Sequence, residues 1–467
     1  EKQFRRYFEA ADGKKGNSGQ ILKSVNGGAN WSVVSRPKHL QTQGYYDNTI
    51  WVSPKDPKLV VIGGIDLHRS TDGGDTWKQI SQWDKWPKSA HADHHAIVHH
   101  PLFDGTTNKT VFFGTDAGIF KASDVTSVAG TKGWESLNNN LGITQFYSGA
   151  GYEKIGKIIG GTQDNGHLMW TKGTSGSTTD WKMVESGDGG FAAVDPKDGK
   201  FMYGEYTNLA LYRSTNGGKN YDYICKGILE GMKRDGDNEY CDGTGEALFI
   251  APFVLDPNRP KTLLAGAASL WRSENVKDEE PVWTRIKKPI VKECNTEGKG
   301  CISAVAVAPG NSNVVWVGHQ DGEVFYTKNG KAKQPVWTQV TTLTPKRYVQ
   351  RIMIDKDNNT KVYVAFGGFD KDNLYVTSNG GVTWKNITGN LPAAPIRTIV
   401  RHPTKPDWLY VGTEVGIFAS EDGGVHWSTT NDGPANVSVE ELFWYSDNQL
   451  VAATHGRSMF MATLAEE

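Results

Sequence analysis

The segment Ser420-Glu421-Asp422-Gly423-Gly424-Val425-His426-Trp427 decides the fold, because copies of it recur along the chain. Four other well-preserved copies begin at Ser24, Ser70, Ser214 and Thr377. All five share the pattern Ser/Thr-x-Asp/Asn-x-Gly-x-x-Trp/Tyr. Weaker copies occupy 123–134, 170–181, 273–283 and 327–337. Five and four copies make nine candidate hairpins, spaced roughly fifty residues apart, which is typical of a repeat architecture.

The chemistry of the repeated segment predicts a tight turn between two strands. Asp or Asn caps the turn with its side chain, and the following glycines accept positive φ. The Trp then anchors the returning strand in the core. Two further short apolar strands precede each copy, as in Ile396–Arg401 and 408–412. Each repeat is therefore predicted to contain four short antiparallel strands, A to D, with the turn between C and D, which is a propeller blade.

The repeated turns resemble the Asp boxes, or BNR repeats, of β-propellers such as sialidases, xyloglucanase-type glycoside hydrolases and the Vps10 domain of sortilins. The segments 161–166 and 454–457 also resemble bacterial exported BNR-repeat proteins. The resemblance implies an all-β propeller in which the box is a structural turn, away from the ligand-binding face. The Phe-Arg-Ile-Pro segment of sialidases is absent, and Pro395-Ile396-Arg397 is only a fragment of it.

The domain prediction is one large propeller of four-stranded antiparallel blades over residues 1–467. The N-terminal strands (about 1–35) and the C-terminal strands (about 438–464) are predicted to meet at ring closure. Nine blades result if the two ends share a blade, and ten if each end forms its own. A two-propeller arrangement is disfavoured, because it would need about fourteen blades.

Composition excludes two classes of partner. The chain has 51 Lys+Arg against 52 Asp+Glu, without the basic excess of proteins that bind nucleic acid. No window approaches the roughly 18 to 20 apolar residues of a membrane helix, so no membrane insertion is expected. The 54 glycines instead indicate many turns. Oligomeric state is not indicated.

The four cysteines fall into two sequence-local pairs, Cys225 with Cys241 and Cys294 with Cys301. Two local disulfides are favoured, and four free thiols are the alternative. Metal binding by these cysteines is disfavoured, because no Cys-x-x-Cys spacing occurs. Disulfides imply an oxidising compartment, so a secreted protein is expected, either extracellular or at the cell surface.

Ligand-binding residues are expected where the B–C loops and the D-to-A connections of a propeller converge on its channel. The candidate binding residues share this placement and are polar or aromatic. They are Trp83, Trp86, Asp116, Gln163, Asn165, Tyr206, His319, Asp321, Glu414, His455 and Arg457.

The segment His91-Ala92-Asp93-His94-His95 is the densest cluster of ionisable residues. Alternate residues of an extended segment project to the same side, so His91, Asp93 and His95 are a candidate site for a divalent metal. The same residues could serve as a general base, or they could only order neighbouring loops. No other cofactor is indicated.

Asp164 and Asp188 are the candidate catalytic residues, because each lies in an unusual segment beside glycines. Two carboxylates across a channel could act as general acid and base on a glycosidic bond. No complete catalytic signature is present, however. The sequence therefore favours an exported Asp-box propeller that binds a carbohydrate or a protein, with a xyloglucanase-like glycoside hydrolase as the alternative.

Overall fold

The computed structural model describes the whole chain except residues 1–2, 8–19, 36, 38–42, 45, 140, 174–179, 229–231, 234–241, 244–246, 291–293, 295–299, 429–432, 435 and 466–467. The chain divides into two compact units, Glu1–Leu141 and Gly142–Glu467. Within the described residues, the only helix is a single 3₁₀ turn at Trp83–Lys85, and no helix is long and apolar enough to cross a membrane.

The described residues of unit 1 form three antiparallel sheets. Their strands are β1 (Gln3–Tyr7), β2 (Gln20–Ser24) and β3 (Ser32–Val33); β4 (Thr49–Val52), β5 (Val60–Gly63), β6 (Leu67–Ser70) and β7 (Lys78–Gln79); and β8 (His94–His99), β9 (Val111–Thr115), β10 (Gly118–Ala122) and β11 (Trp134–Ser136). A core that includes Trp51, Val61, Phe113 and Phe120 fills the space between the second and third sheets. Apolar residues on both faces of the strands explain this packing.

Unit 2 contains seven antiparallel sheets of three or four strands and one two-stranded hairpin among its described residues. The strands of the first three sheets and the hairpin are β12 (Ala150–Tyr152), β13 (Lys157–Thr162), β14 (Gly166–Thr171), β15 (Trp181–Glu185); β16 (Ala192–Val194), β17 (Met202–Glu205), β18 (Leu211–Ser214), β19 (Asp222–Tyr223); the hairpin β20 (Met232–Lys233), β21 (Asp242–Gly243); and β22 (Phe253–Leu255), β23 (Leu263–Gly266), β24 (Leu270–Ser273), β25 (Trp283–Lys287).

The last four sheets of unit 2 follow the same up-and-down order. Their strands are β26 (Ile302–Ala308), β27 (Asn311–His319), β28 (Val324–Thr327), β29 (Thr338–Gln339); β30 (Val349–Ile354), β31 (Val362–Phe366), β32 (Leu374–Thr377), β33 (Lys385–Asn386); β34 (Ile396–Arg401), β35 (Leu409–Thr413), β36 (Gly416–Ser420); and β37 (Val439–Trp444), β38 (Gln449–Thr454), β39 (Met459–Thr463).

The sheets of unit 2 are the blades of a propeller that closes on itself. The first strand of each sheet lies against a neighbouring sheet, and β12 contacts β37. At this closure the amide of Phe146 donates to the carbonyl of Thr454 at 2.9 Å, and the amide of Glu153 donates to the carbonyl of Tyr445 at 2.8 Å. The predicted all-β propeller of four-stranded antiparallel blades is therefore confirmed, with ten sheets of three or four strands described over the two units.

The closure within unit 2 joins residues that the sequence did not pair. The C-terminal strands at 439–463 contact the segment 142–155, and the described N-terminal strands β1 to β3 form a sheet of their own. The seven sheets of unit 2 thus close without the N-terminal strands, unlike the predicted closure between the strands at about 1–35 and those at about 438–464. The physical reason for the difference is that the repeats are alike, so the sequence shows how many blades exist but not which two are neighbours.

The repeated turn is held by its own side chains. In the copy at Ser420, the Oγ atom accepts a hydrogen bond from the amide of Gly424 at 2.9 Å and contacts Oδ1 of Asp422 at 2.9 Å. Asp422 in turn accepts the amides of Val425 and His426, at 3.0 and 2.9 Å. Gly424 has φ +89°, which a residue with a Cβ adopts only under strain. These contacts explain why Ser, Asp and Gly recur at fixed spacing.

Replacing Ser420 with alanine is expected to lower the free energy of unfolding by ~1–2 kcal/mol, because the buried amide of Gly424 loses its acceptor. Ser378 is an exposed serine in the neighbouring copy of the turn, and Ser378→Ala is the matched control. Chemical denaturation of both variants measures the difference. Equal stability of the two variants would contradict this account of the turn.

The described cysteines are all oxidised. Cys294 and Cys301 form a disulfide, as predicted. Cys225 is disulfide-bonded as well, whereas its predicted partner Cys241 lies outside the described residues. Cys225 and the Cys294–Cys301 pair lie in segments between sheets of unit 2, so their disulfides constrain loops and not strands.

Candidate functional site

A cavity of about 260 Å³ lies where the first strands of the seven sheets of unit 2 begin. Every one of the seven sheets contributes at least one lining residue at or just before its first strand. The lining residues are Tyr147, Phe191, Ile250, Ser303, Tyr348, Gln350, Arg351, Arg397, Glu414, Glu440 and His455. Glu414 comes from the β35–β36 loop and His455 from the β38–β39 loop. B–C loops and D-to-A connections therefore converge at one end of unit 2, as the blade topology requires.

Arg397 is the centre of a charged network in this cavity. Its Nε and Nη2 atoms both donate to Oε2 of Glu414, at 3.0 and 2.7 Å, and Nε lies 3.9 Å from Oε2 of Glu440. Oε1 of Glu440 accepts the hydroxyl of Ser438 at 2.6 Å and lies 3.7 Å from Nδ1 of His455. Guanidinium and carboxylate groups fixed in this way present donors and acceptors at set positions. The network is therefore suited to a ligand rich in hydroxyl groups.

Arg351 forms a second ion pair next to the first. Its Nη2 donates to Oε2 of Glu441 at 2.7 Å, and Oε1 of Glu441 accepts the hydroxyl of Thr398 at 3.3 Å. Burial raises the pKa of Glu441 although Arg351 opposes the shift. The guanidinium of Arg351 also lies 5.6 Å from the ring of Phe191, within cation–π range. The pair fixes a cationic group and an aromatic ring on the same wall of the cavity.

The backbone of Phe191 is held by two buried polar side chains. Glu205 accepts the amide of Phe191 at 3.4 Å, together with the amides of Leu209 at 3.1 Å and Ala251 at 3.0 Å. Nε2 of His167 hydrogen-bonds the carbonyl of Phe191 at 3.1 Å. Burial lowers the pKa of His167 to about 4, so this imidazole is neutral and Nε2 carries the donated proton. The position of an aromatic ring in the cavity thus depends on groups that are themselves inaccessible to ligand.

Two tyrosines complete the aromatic part of the cavity. Burial raises the pKa of Tyr348 to about 12, although Arg397 and Arg351 oppose the shift. Burial, followed by the charges of Asp188 and Asp164, raises the pKa of Tyr147 to about 12. Both side chains are therefore neutral phenols at physiological pH and can donate a hydrogen bond.

The predicted catalytic residues Asp164 and Asp188 lie side by side. The amide of Asp164 donates to Oδ1 of Asp188 at 3.0 Å, and Nε2 of Gln163 donates to the same oxygen at 2.7 Å. Gln163 also contacts the hydroxyl of Tyr147, which lines the cavity. Burial, and then the charge of Asp164, raise the pKa of Asp188. The pair borders the cavity through Tyr147 and does not span it.

The predicted metal ligands of unit 1 have different partners. Nε2 of His95 lies 2.6 Å from Oδ1 of Asp116, whereas the ring of His91 packs edge-on against Trp86 at 6.3 Å. Asp93 has φ +63°, which turns the backbone between the two histidines. Across the described part of the chain, no group of three His, Cys, Asp or Glu side chains is arranged to hold a metal ion. The alternation expected of an extended segment fails at Asp93, so the structure does not assemble this predicted site.

His319 is a predicted binding residue that the structure places in the core. Its Nδ1 contacts the carbonyl of Gly300 at 2.8 Å, and its Nε2 lies 3.2 Å from Nζ of Lys287. Burial, and then the charge of Lys287, lower the pKa of His319 to about 3. A neutral His319 that accepts from Lys287 supports the fold, and its side chain does not reach the cavity lining.

The other predicted binding residues lie outside the cavity lining. Asn165 donates to the carbonyl of Gln163 at 3.0 Å, and Asp321 accepts the amide of Glu323 at 3.4 Å. Arg457 is exposed in the β38–β39 loop, next to His455. Tyr206 packs against Gly187, beside the Asp164–Asp188 pair.

In unit 1, the side chains of the predicted binding residues Trp83 and Trp86 are 49% and 53% exposed. Binding by these residues stays a prediction.

Sequence reasoning placed two cavity residues, Glu414 and His455, and missed the rest. The missed residues are Tyr147, Phe191, Ile250, Ser303, Tyr348, Gln350, Arg351, Arg397 and Glu440. One signal was available: each of them lies at or just before the start of a predicted A strand, which is the position that faces a propeller channel.

Comparisons with known proteins support no closer assignment. No protein-family model matches this chain, and no curated protein matches it. The chain is similar in structure to a GH74 enzyme from Niastella koreensis, with 13% identity, a TM-score of 0.26, and coverage of 95% of this chain and 79% of that chain. It is also similar to YCF48 from Cyanidioschyzon merolae, with 14% identity, a TM-score of 0.35, and coverage of 80% and 95%. Both similarities are low.

Proposed function

We propose that this protein is an exported propeller that binds a carbohydrate in the cavity of unit 2. The observation that carries the proposal is the seven-sided lining, which combines three aromatic rings with the Arg397 and Arg351 ion pairs. Aromatic faces stack on sugar rings, and fixed ion pairs exchange hydrogen bonds with hydroxyl groups. The oxidised cysteines support export.

The size and charge of the cavity favour a neutral sugar over a charged ligand. Its 260 Å³ is slightly less than the roughly 300 Å³ at which pockets for drug-sized ligands begin, so it holds one sugar unit or one side chain. The two arginines are already paired with carboxylates, which leaves no excess positive charge for an anionic ligand. A protein that inserts one side chain is the alternative partner.

Calorimetric titration of the full chain with neutral oligosaccharides tests the proposal. Cellotetraose, mannotetraose and a xyloglucan heptasaccharide are suitable probes, with the reducing ends assayed in parallel. Binding without release of reducing ends supports a carbohydrate-binding protein. If no oligosaccharide binds but a peptide library yields ligands that compete at the cavity, the protein-binding alternative replaces it.

Glycoside hydrolysis is the second candidate function, and the environment of Asp188 favours it. Because burial raises the pKa of Asp188, this carboxyl retains its proton to a higher pH than an ordinary aspartate does. A general acid needs that property. Tyr147 links the pair to the cavity.

If Asp188 is a general acid, Asp188→Asn is expected to reduce hydrolysis by at least ~10³-fold, at the upper end of what acid–base catalysis contributes. The rate should fall as pH rises through the raised pKa of Asp188, because only the protonated acid donates to the leaving group. Asp222→Asn, on the exposed outer strand β19, is the matched control. Reducing-end assays over a pH series measure both effects, and activity that survives Asp188→Asn would exclude this role.

A further inference from the structure

The loop between β31 and β32, residues 367–373, borders the cavity of unit 2. The corresponding loops of two other sheets, β35–β36 and β38–β39, each supply a lining residue of the cavity. The amide of Gly367 donates to the carbonyl of the lining residue Tyr348 at 2.8 Å. A Cβ atom on Gly367 would lie 3.0 Å from Nε2 of Gln350, which also lines the cavity. The loop therefore continues the cavity wall that its own sheet provides.

This loop carries an aromatic side chain in solvent. Phe369 is 73% exposed, whereas Phe366, at the end of β31, is fully buried in the core. Single exposed apolar side chains are common on protein surfaces, so exposure alone indicates no function. Phe369 differs from such residues in two respects, which are its position beside the cavity and the way in which its backbone is fixed.

One buried side chain holds the backbone on both sides of Phe369. Asn373 is 0% exposed, and its Nδ2 donates to the carbonyls of Gly368 and Asp370, at 2.7 and 3.0 Å. The same nitrogen lies 2.9 Å from the carbonyl of Ala394, in the segment before β34. Because these contacts fix the loop before a ligand arrives, binding to Phe369 costs little backbone conformational entropy.

Arg347 places an ion pair next to the aromatic ring. Its Nε donates to the carbonyl of Gly367 at 3.1 Å and lies 3.4 Å from Oδ2 of Asp370, the residue after Phe369. Its Nη2 donates to Oδ1 of Asp372 at 2.6 Å. Asp370 is exposed, so its carboxylate is accessible to hydroxyl groups. The loop thus combines an aromatic ring with an arginine–carboxylate pair, as the cavity does.

The size of the cavity indicates what this loop binds. A cavity of 260 Å³ holds one sugar unit, so the next unit of an oligosaccharide lies at the rim. Phe369 presents an aromatic face there, two residues from the contact between Gly367 and the cavity wall. A sugar is favoured over a protein, because Phe369 is the only apolar side chain of the loop and a protein interface buries roughly 800 Å² per partner.

We propose that Phe369, with Arg347 and Asp370 beside it, forms an outer position for the second sugar unit of a neutral oligosaccharide. The first unit occupies the cavity. This outer position rests on the proposed function of the cavity, and it makes the ligand a chain of at least two sugar units. Phe369 stacks on the outer unit, and the Arg347–Asp370 pair exchanges hydrogen bonds with its hydroxyl groups.

Calorimetric titration of the full chain with sugars of different length tests the proposal. Glucose, mannose and xylose are the single units, and cellotetraose, mannotetraose and the xyloglucan heptasaccharide are the chains. The parent is expected to bind at least one of the chains about tenfold more tightly than any of the single units. Phe369→Ala is expected to remove this difference, since it deletes the outer ring and leaves the affinity of the cavity for a single unit unchanged.

Two further variants control the experiment. Phe369→Trp retains a stacking face, and it should bind the chains within about twofold of the parent or more tightly. Val382→Ala removes another exposed apolar side chain, in the turn at the opposite end of β32, and should bind like the parent. Because Phe369 is exposed, Phe369→Ala should fold as the parent does, and thermal unfolding measures this.

The outcomes separate the outer position from the cavity. Equal affinity of the parent for chains and single units would overturn the outer position alone. Equal affinity of Phe369→Ala and the parent for the chains, or an equal loss for chains and single units in Phe369→Ala, would overturn it as well. If the parent binds none of these sugars, the proposed function of the cavity fails together with the outer position.

Discussion

Replacing Arg397 with alanine is expected to weaken oligosaccharide binding at least ~100-fold, or about 2.7 kcal/mol. Arg397 holds Glu414 with two nitrogen atoms and lies near Glu440, so its loss removes a donor and frees two carboxylates at once. Arg397→Lys keeps the charge but not the paired geometry, and an intermediate loss of roughly tenfold is expected. Calorimetric titration measures both variants.

Arg259→Ala is the matched control for this experiment. Arg259 also forms an ion pair, with Glu274, but it lies between β22 and β23, at the opposite end of the strands from the cavity. Its removal should leave the affinity unchanged. Equal affinity of Arg397→Ala and the parent chain would show that the oligosaccharide binds elsewhere.

Replacing Glu205 with alanine is expected to lower the free energy of unfolding by ~3–5 kcal/mol, because two buried amides and one partly buried amide lose their acceptor and a void is left. Glu205→Gln retains an acceptor oxygen, and a loss below ~1.5 kcal/mol is expected. Chemical denaturation provides both values. Since Glu205 holds the amide of Phe191, Glu205→Ala should also weaken binding in the cavity.

The pH dependence of the free energy of unfolding is a second test of the role of Glu205. Burial raises its pKa well above the ordinary value. A carboxyl with a raised pKa in the folded state stabilises the fold at low pH, and this stabilisation is lost as pH rises through the folded-state pKa. The parent chain should therefore lose stability relative to Glu205→Gln as pH rises. Glu421→Ala, at an exposed position, is the control for Glu205→Ala. If Glu421→Ala lowers the free energy of unfolding as much as Glu205→Ala does, the account is contradicted.

The fold was predictable because its signal is local. Ser420, Asp422 and Gly424 interact within five residues, so the chemistry of each turn is written in consecutive positions. Recurrence of the turn then fixes the strand order within each sheet. Ring closure was not predictable in this way, because the contact between Phe146 and Thr454 joins residues far apart in sequence and carries no motif.

The candidate site was predictable only in part. Glu414 and His455 lie in B–C loops, where a polar residue next to glycine is recognisable in the sequence. Phe191 and Tyr348 look like core aromatics in the sequence, and Arg397 follows an ordinary strand pattern. His319 was predicted to bind ligand because it precedes a polar loop. Its side chain instead lies in the core, where it contacts Lys287 from another strand.

We expect ligand to bind where the first strands of unit 2 begin. Hydrogen–deuterium exchange with and without the best-binding oligosaccharide of the panel tests it most directly. We predict slower exchange in peptides that contain Tyr147, Phe191, Tyr348 and Arg397, and no change in peptides that contain the repeated turns at Thr377 and Ser420. Protection confined to those turns, or to unit 1, would contradict the account.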